Sequence, residues 1–120
     1  MVGEIEGLEP SSVHGLHIHE LGDLSEGCSS LGGHYNPFQV EHAGPYNISR
    51  HVGDLGNIKA DPNGVAQVGV RDPKVRMYGR NAVAGRSIVL HALRDDLGQG
   101  GDEGSLKTGN AGGRIACCVI

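Results

Sequence analysis

Short stretches in which apolar and polar residues alternate, each cut off by glycine or proline, run the length of this chain and constrain its fold more than any other feature. Alternation sends successive side chains to opposite faces, which is the period of a β-strand. In Val13–Glu20, Leu16 and Ile18 fall on one face while His17 and His19 fall on the other. Ile88, Leu90 and Ala92 alternate with Ser87, Val89 and His91 in the same way. Asp54–Ala60 and Val65–Arg71 flank Asp61-Pro62-Asn63-Gly64, whose Asn and Gly tolerate positive φ, so these two strands are expected to form a hairpin. With Val2–Leu8 and Arg114–Ile120 at the two ends, about six strands are expected. The 21 glycines argue against long helices, because glycine is entropically costly inside regular structure, and they show no G-X-Y period.

Between the strands lie two long connections, Leu21–Gly53 and Leu93–Gly113, which carry no periodicity of their own. Loops of that length in a compact domain are usually functional or disordered. The first holds His34, His42, His51 and Cys28; the second is rich in glycine and acidic residues. At 120 residues the chain suits one domain, 1–120. A net charge of −4 gives no basic footprint, so nucleic acid is not an expected partner. No apolar run approaches the ~20 residues of a membrane helix, and the first residues lack the design of a signal peptide. No membrane partner is therefore expected, and the expected location is the cytoplasm. Three cysteines leave at least one unpaired.

The histidines carry the chemistry. His17 and His19, two apart on a strand, point the same way at ~7 Å spacing, near enough to share a metal ion. Taken alone, that pair is more often incidental than a metal site. The first loop adds His34, His42 and His51, with Asp54 three residues beyond the last. Three imidazoles and a carboxylate make a tetrahedral zinc set, and imidazole suits copper as well.

Six blocks in order, GLHIHELGDLSEGC (15–28), GGHYNP (32–37), RHVGDLGN (50–57), GRSIVLHA (85–92), DDLGQGG (95–101) and TGNAGGRIAC (108–117), resemble the Cu,Zn superoxide dismutases. The resemblance runs from about Val2 to Ile120. It implies an all-β Greek-key β-sandwich or barrel with two long functional loops. It also implies two further strands ahead of the point matching Val2, so these 120 residues are expected to show unpaired strand edges, a partly uncovered core and marginal stability as a monomer. Copper is implied at His17, His19, His34 and His91, and zinc at His34, His42, His51 and Asp54, with the His34 ring bridging the two ions. His14 is implied to be structural. Asp95 matches a carboxylate that links a copper histidine, His17, to a zinc histidine, His42, and such partners fix ring orientation.

Cys28 and Cys117 align with the family's intrasubunit disulfide, worth roughly 4 kcal/mol in the chain-entropy account, while Cys118 is left as a free thiol. The implied reaction is disproportionation of superoxide to dioxygen and hydrogen peroxide, with His34 delivering a proton. Arg114 matches the arginine that docks the anion and Thr108 the opposite rim of the channel, while Lys107, Asp102 and Glu103 occupy a charged steering loop. A homodimer and loading by a copper chaperone are further implications. Two other readings stand beside the enzyme. One is the superoxide-dismutase-like domain of a copper chaperone, opposed by the intact ligands, Arg114 and the absence of any CxxC carrier motif. The other is a domain that binds metal but turns over weakly.

Overall fold

The computed structural model describes residues 1–120. Its strands are β1 (Val2–Ile5), β2 (Val13–His19), β3 (Asp54–Lys59), β4 (Ala66–Gly69), β5 (Ser87–His91) and β6 (Arg114–Val119). Each lies within a segment expected to be a strand, trimmed by a residue or more at one end or both. β1 and β4 form one antiparallel pair, with Val2 opposite Gly69 and Ile5 opposite Ala66. The other sheet runs β3-β2-β5-β6, antiparallel throughout. The two sheets make a β-sandwich.

The expected hairpin does not form. The turn itself is built as its residues suggest, with Asp61 Oδ1 accepting from the backbone N–H groups of Asn63 and Val65. Yet β3 pairs with β2, and β4 pairs with β1 in the other sheet. One bond closes the turn, Asp61 N–H to Val65 O at 2.8 Å, but beyond it the preceding chain takes over: Ala60 N–H donates to Ser12 O and Leu8 N–H donates to Gly64 O. The turn is thus a corner between sheets.

Alternation along β2 decides where the core and the site fall. Leu16 and Ile18 join Leu55, Ile58, Val68 and Leu90 in a buried apolar cluster fed by both sheets. Each such side chain contributes roughly 1.5–3 kcal/mol when fully buried. His17 and His19 occupy the other face of the same strand and are also buried. Beyond His17, β3 ends, and the first long loop takes its place: Ile18 N–H donates to Gly53 O, and Tyr35 N–H donates to Ile18 O. This brings His34, His51 and Asp54 beside His17 and His19.

Between β1 and β6 the sandwich stays open. Both strands have a free edge, and a cleft of about 670 Å³ lies between the sheets, lined by Met1, Val2, Leu55, Val83, Ile88 and Ile120 among others. The expected free edges and thinly covered core are therefore features of these residues.

The second long loop holds a helix that its sequence pattern does not announce, α1 (Glu103–Thr108). Asp102 caps it by accepting from Ser105 N–H, and Gly109, at φ 69°, closes it. Cys28 and Cys117 are joined by a disulfide that ties the first loop to β6, and Cys118 is a free, exposed thiol.

Candidate metal centre

Six imidazoles and two carboxylates meet where β2, β5 and the two loops converge. One ring nitrogen from each of His17, His19, His34 and His91 lies within 4.8 Å of the other three. The hydrogen bonds fix which nitrogens these are. His19 Nδ1–H donates to Gly32 O at 2.9 Å, and His91 Nδ1–H donates to Gly112 O at 3.0 Å, so each neutral ring keeps its lone pair on Nε2. Those two Nε2 atoms face each other 3.2 Å apart. His17 Nε2–H donates to Asp95 Oδ2 at 2.8 Å, which leaves Nδ1 as the lone-pair atom. His17 Nδ1 and His34 Nε2 are both buried with no hydrogen-bond partner. Orphaned buried nitrogens are costly and rare. Buried lone pairs that converge in this way are what a soft or borderline cation would satisfy.

The second cluster gathers on Asp54 Oδ1, which lies 3.2 Å from His34 Nδ1, 2.8 Å from His42 Nδ1 and 3.0 Å from His51 Nδ1. Ligands of a tetrahedral zinc at ~2.0–2.1 Å would stand about 3.3 Å apart, close to these separations. His42 and His51 spend their Nε2–H protons on Asp95 Oδ1 (2.8 Å) and Val40 O (3.0 Å), so in the neutral rings both Nδ1 lone pairs face a carboxylate. A cation must lie among them, or a proton must take its place. His17, His34, His42 and Asp54 also approach within 4.8 Å as a set, but His17 commits Nε2 to Asp95, and its free nitrogen belongs with the first cluster. His34 alone offers one nitrogen to each cluster.

Electrostatics follow from the same contacts. Burial pulls His17 and His19 down to about 3, and it also lowers His34 and His91, so these rings are held neutral and free to coordinate. Burial opposes charge on His42 too, but hydrogen bonds to Asp54 and Asp95 outweigh it and raise the ring to about 9. Asp54 is held far below the usual carboxylate range: burial works against its charge, but the three imidazoles more than offset it. Asp95 is lowered to about 2 despite burial, by His17, His42 and Leu97 N–H.

His14 lies apart from both clusters, with Nδ1 on His91 O at 2.8 Å and Nε2 on Ser12 Oγ at 2.7 Å, so both nitrogens are occupied and the Nδ1 bond holds β2 to the end of β5. An open cleft of about 380 Å³ leads to the first cluster, lined by His19, His34, His91, Thr108, Asn110 and Arg114, with no apolar residue. Arg114 is fixed by donating to Cys28 O (2.7 Å) and Gly32 O (2.6 Å), the latter being the carbonyl that also holds His19. Lys107 lies outside this cleft, on a neighbouring groove, and pairs with Glu103 at 2.6 Å; both side chains are exposed.

Several supporting residues escaped the sequence reading. Asn57 grips Asp95 from both sides, its Nδ2 donating to Asp95 O and its Oδ1 accepting from Asp95 N–H, each at 2.8 Å. Gly109 packs its α-carbon against the Asp95–His42 contact, where any Cβ would collide with both side chains. Arg50 is buried beneath the Asp54 turn. None belongs to a motif that names such a role.

An antiparallel sandwich whose loops fold a paired histidine cluster against one strand defines a class of two-metal β-proteins. The whole chain, residues 1–120, matches the copper/zinc superoxide dismutase family, and it belongs to that family. It is 51% identical over 120 residues to the copper–zinc superoxide dismutase of Cryptococcus neoformans var. grubii, covering all of this chain and 78% of that one. The Candida glabrata enzyme of the same name is 56% identical over 117 residues, 98% of this chain and 76% of the relative. That of Paramecium bursaria Chlorella virus 1 is 54% identical, again over 98% of this chain but 63% of its own length.

Proposed function

We propose that this chain is an oxidoreductase, a copper–zinc superoxide dismutase, converting two superoxide anions and two protons to one dioxygen and one hydrogen peroxide. The observation that carries the reading is the pair of orphaned nitrogens, His17 Nδ1 and His34 Nε2, buried among rings whose remaining protons are already committed. His17, His19, His34 and His91 are the copper ligands in this reading, and His34, His42, His51 and Asp54 the zinc ligands. Bound copper would supply the one-electron exchange that zinc, having no redox chemistry, cannot.

The rest belongs to the chain. Arg114 presents a fixed positive charge at the mouth of a polar cleft and draws the anion in, while Thr108 and Asn110 line the same cleft. His34 Nε2, the nitrogen that faces this cleft's cluster, has one lone pair and would carry a proton only when that lone pair is not spent on a metal, while Nδ1 stays turned to Asp54. Asp95 holds His17 and His42 by opposite oxygens and keeps both rings aimed. The copper-chaperone reading is not favoured, because the chain retains Arg114 and the complete first cluster and lacks a CxxC motif.

The reading extends to residues 1–120 acting as one domain in the cytoplasm, loaded by a copper chaperone and working as a homodimer. No helix is long and apolar enough to cross a membrane. Stripping metal, then reloading copper alone, zinc alone or both, tests the activity: turnover returns with copper and is fullest with both ions. Turnover unchanged by stripping contradicts it.

A further inference from the structure

We propose that Arg50 is a positioning residue for the zinc side of the centre, and that its ion pair with Asp72 sets zinc affinity. This rests on the proposed function above. Arg50 is 1% exposed, the bulkiest fully buried side chain in the protein. A buried guanidinium is costly unless its donors are matched, and here one is not, since Nε has no partner. The contacts it does make converge on one short turn. Nη1 donates to Asp54 O at 2.7 Å and reaches His51 O at 3.4 Å, while Nη2 donates to Asp72 Oδ2 at 2.6 Å.

That turn also closes on itself. His51 N–H donates to Asp54 Oδ2 at 2.9 Å, and Asp54 N–H donates to His51 O at 3.3 Å. Both carbonyls therefore face the guanidinium, while His51 Nδ1 and Asp54 Oδ1 face inward, 3.0 Å apart. Fixing the two carbonyls fixes the peptide planes from which those side chains depart. Asp72 anchors the far end: its Oδ1 accepts from Lys74 N–H at 2.8 Å and Val75 N–H at 3.3 Å. The brace runs from the centre to a separate turn after β4 and touches no proposed ligand atom. A planar fork suits two fixed acceptors, whereas lysine carries its donors on one nitrogen and lacks the second prong that reaches from the Asp54 carbonyl to Asp72.

Arg50→Lys and Asp72→Asn test this. The second substitution keeps a side-chain oxygen for the 72–75 turn but removes the charge opposite Arg50. Zinc affinity is measured by chelator competition without copper, cobalt is used as a spectroscopic stand-in, and melting is followed with and without zinc. Loss of a supporting contact of this kind typically weakens metal binding tenfold to a hundredfold, so Arg50→Lys is expected to raise the zinc Kd by about that factor. Asp72→Asn moves it the same way by less. Both alter the visible spectrum of bound cobalt and lower the melting temperature more with zinc than without. Equal melting losses in both states, with zinc Kd and cobalt spectrum unchanged, overturn the inference and leave Arg50 a brace of the fold alone. A parent that binds neither zinc nor cobalt overturns the proposed function with it.

Discussion

Asp95 joins the two halves of the centre through opposite oxygens, Oδ2 to His17 and Oδ1 to His42, each at 2.8 Å. A carboxylate can accept from both rings, whereas an amide has only one accepting atom. Asp95→Asn therefore forces one ring to give up its bond or change its tautomer. His42 bears most of this, because it also faces Asp54. We expect zinc affinity to fall about tenfold to a hundredfold, read by competition with a chromogenic chelator. Unchanged zinc affinity would remove Asp95 from the account.

Gly109 offers a steric test of the same link. It sits at φ 69°, and a Cβ there would meet Asp95 and His42. Gly109→Ala adds backbone strain of about 1 kcal/mol and pushes α1 off the centre. Both a lower melting temperature and weaker zinc binding are expected. Normal zinc binding with only the melting loss would confine Gly109 to ending the helix.

Arg114 is held by two backbone carbonyls and faces the cleft. Hydrogen bonds to charged groups are worth about 1.5–3 kcal/mol, so Arg114→Gln should cut kcat/KM for superoxide roughly tenfold to a hundredfold. Exposed charge is screened by salt, so the parent should slow as ionic strength rises and the variant much less. Equal salt dependence in the two would place the steering charge elsewhere.

The Cys28–Cys117 bridge spans 89 residues, and closing such a loop is worth about 4–5 kcal/mol in the chain-entropy account. Cys28→Ser should lower stability by about that amount in denaturant unfolding. It should also lower activity, because Cys28 O is one of the two carbonyls that hold Arg114. A destabilised variant with full activity per bound copper would separate the bridge from Arg114.

Alternation located β2, β3, β4 and β5 because a strand writes its period of two locally, whereas the mostly exposed β1 and β6 were expected only as extended segments at the two ends. It failed at Asp61–Gly64, where the turn chemistry is right but the partner strands are chosen by Leu8 and Ser12, some fifty residues earlier. His17 and His19 were legible as a pair for the same local reason. The two proposed ligand sets came only through resemblance, since the chain distance from His17 to His91 carries no geometric signal; the structure brings their side chains together in two clusters. Arg50, Asn57 and Gly109 were not legible at all: each acts through a backbone carbonyl, a backbone amide or a missing Cβ that only the folded loops create. The helix α1 was missed although Asp102 and Gly109 are fitting caps, because six residues are too few to show a period.

His34 leaves Nε2 unpartnered on one side and turns Nδ1 to Asp54 on the other, and on that geometry its ring is proposed to serve both metals. Copper and zinc content, counted per chain in parent and His34→Ala alongside dismutase activity, tests it most directly. Close to one copper and one zinc are expected in the active parent, with activity lost and both metals bound more weakly in the variant. A variant that retains both ions and full turnover would contradict it.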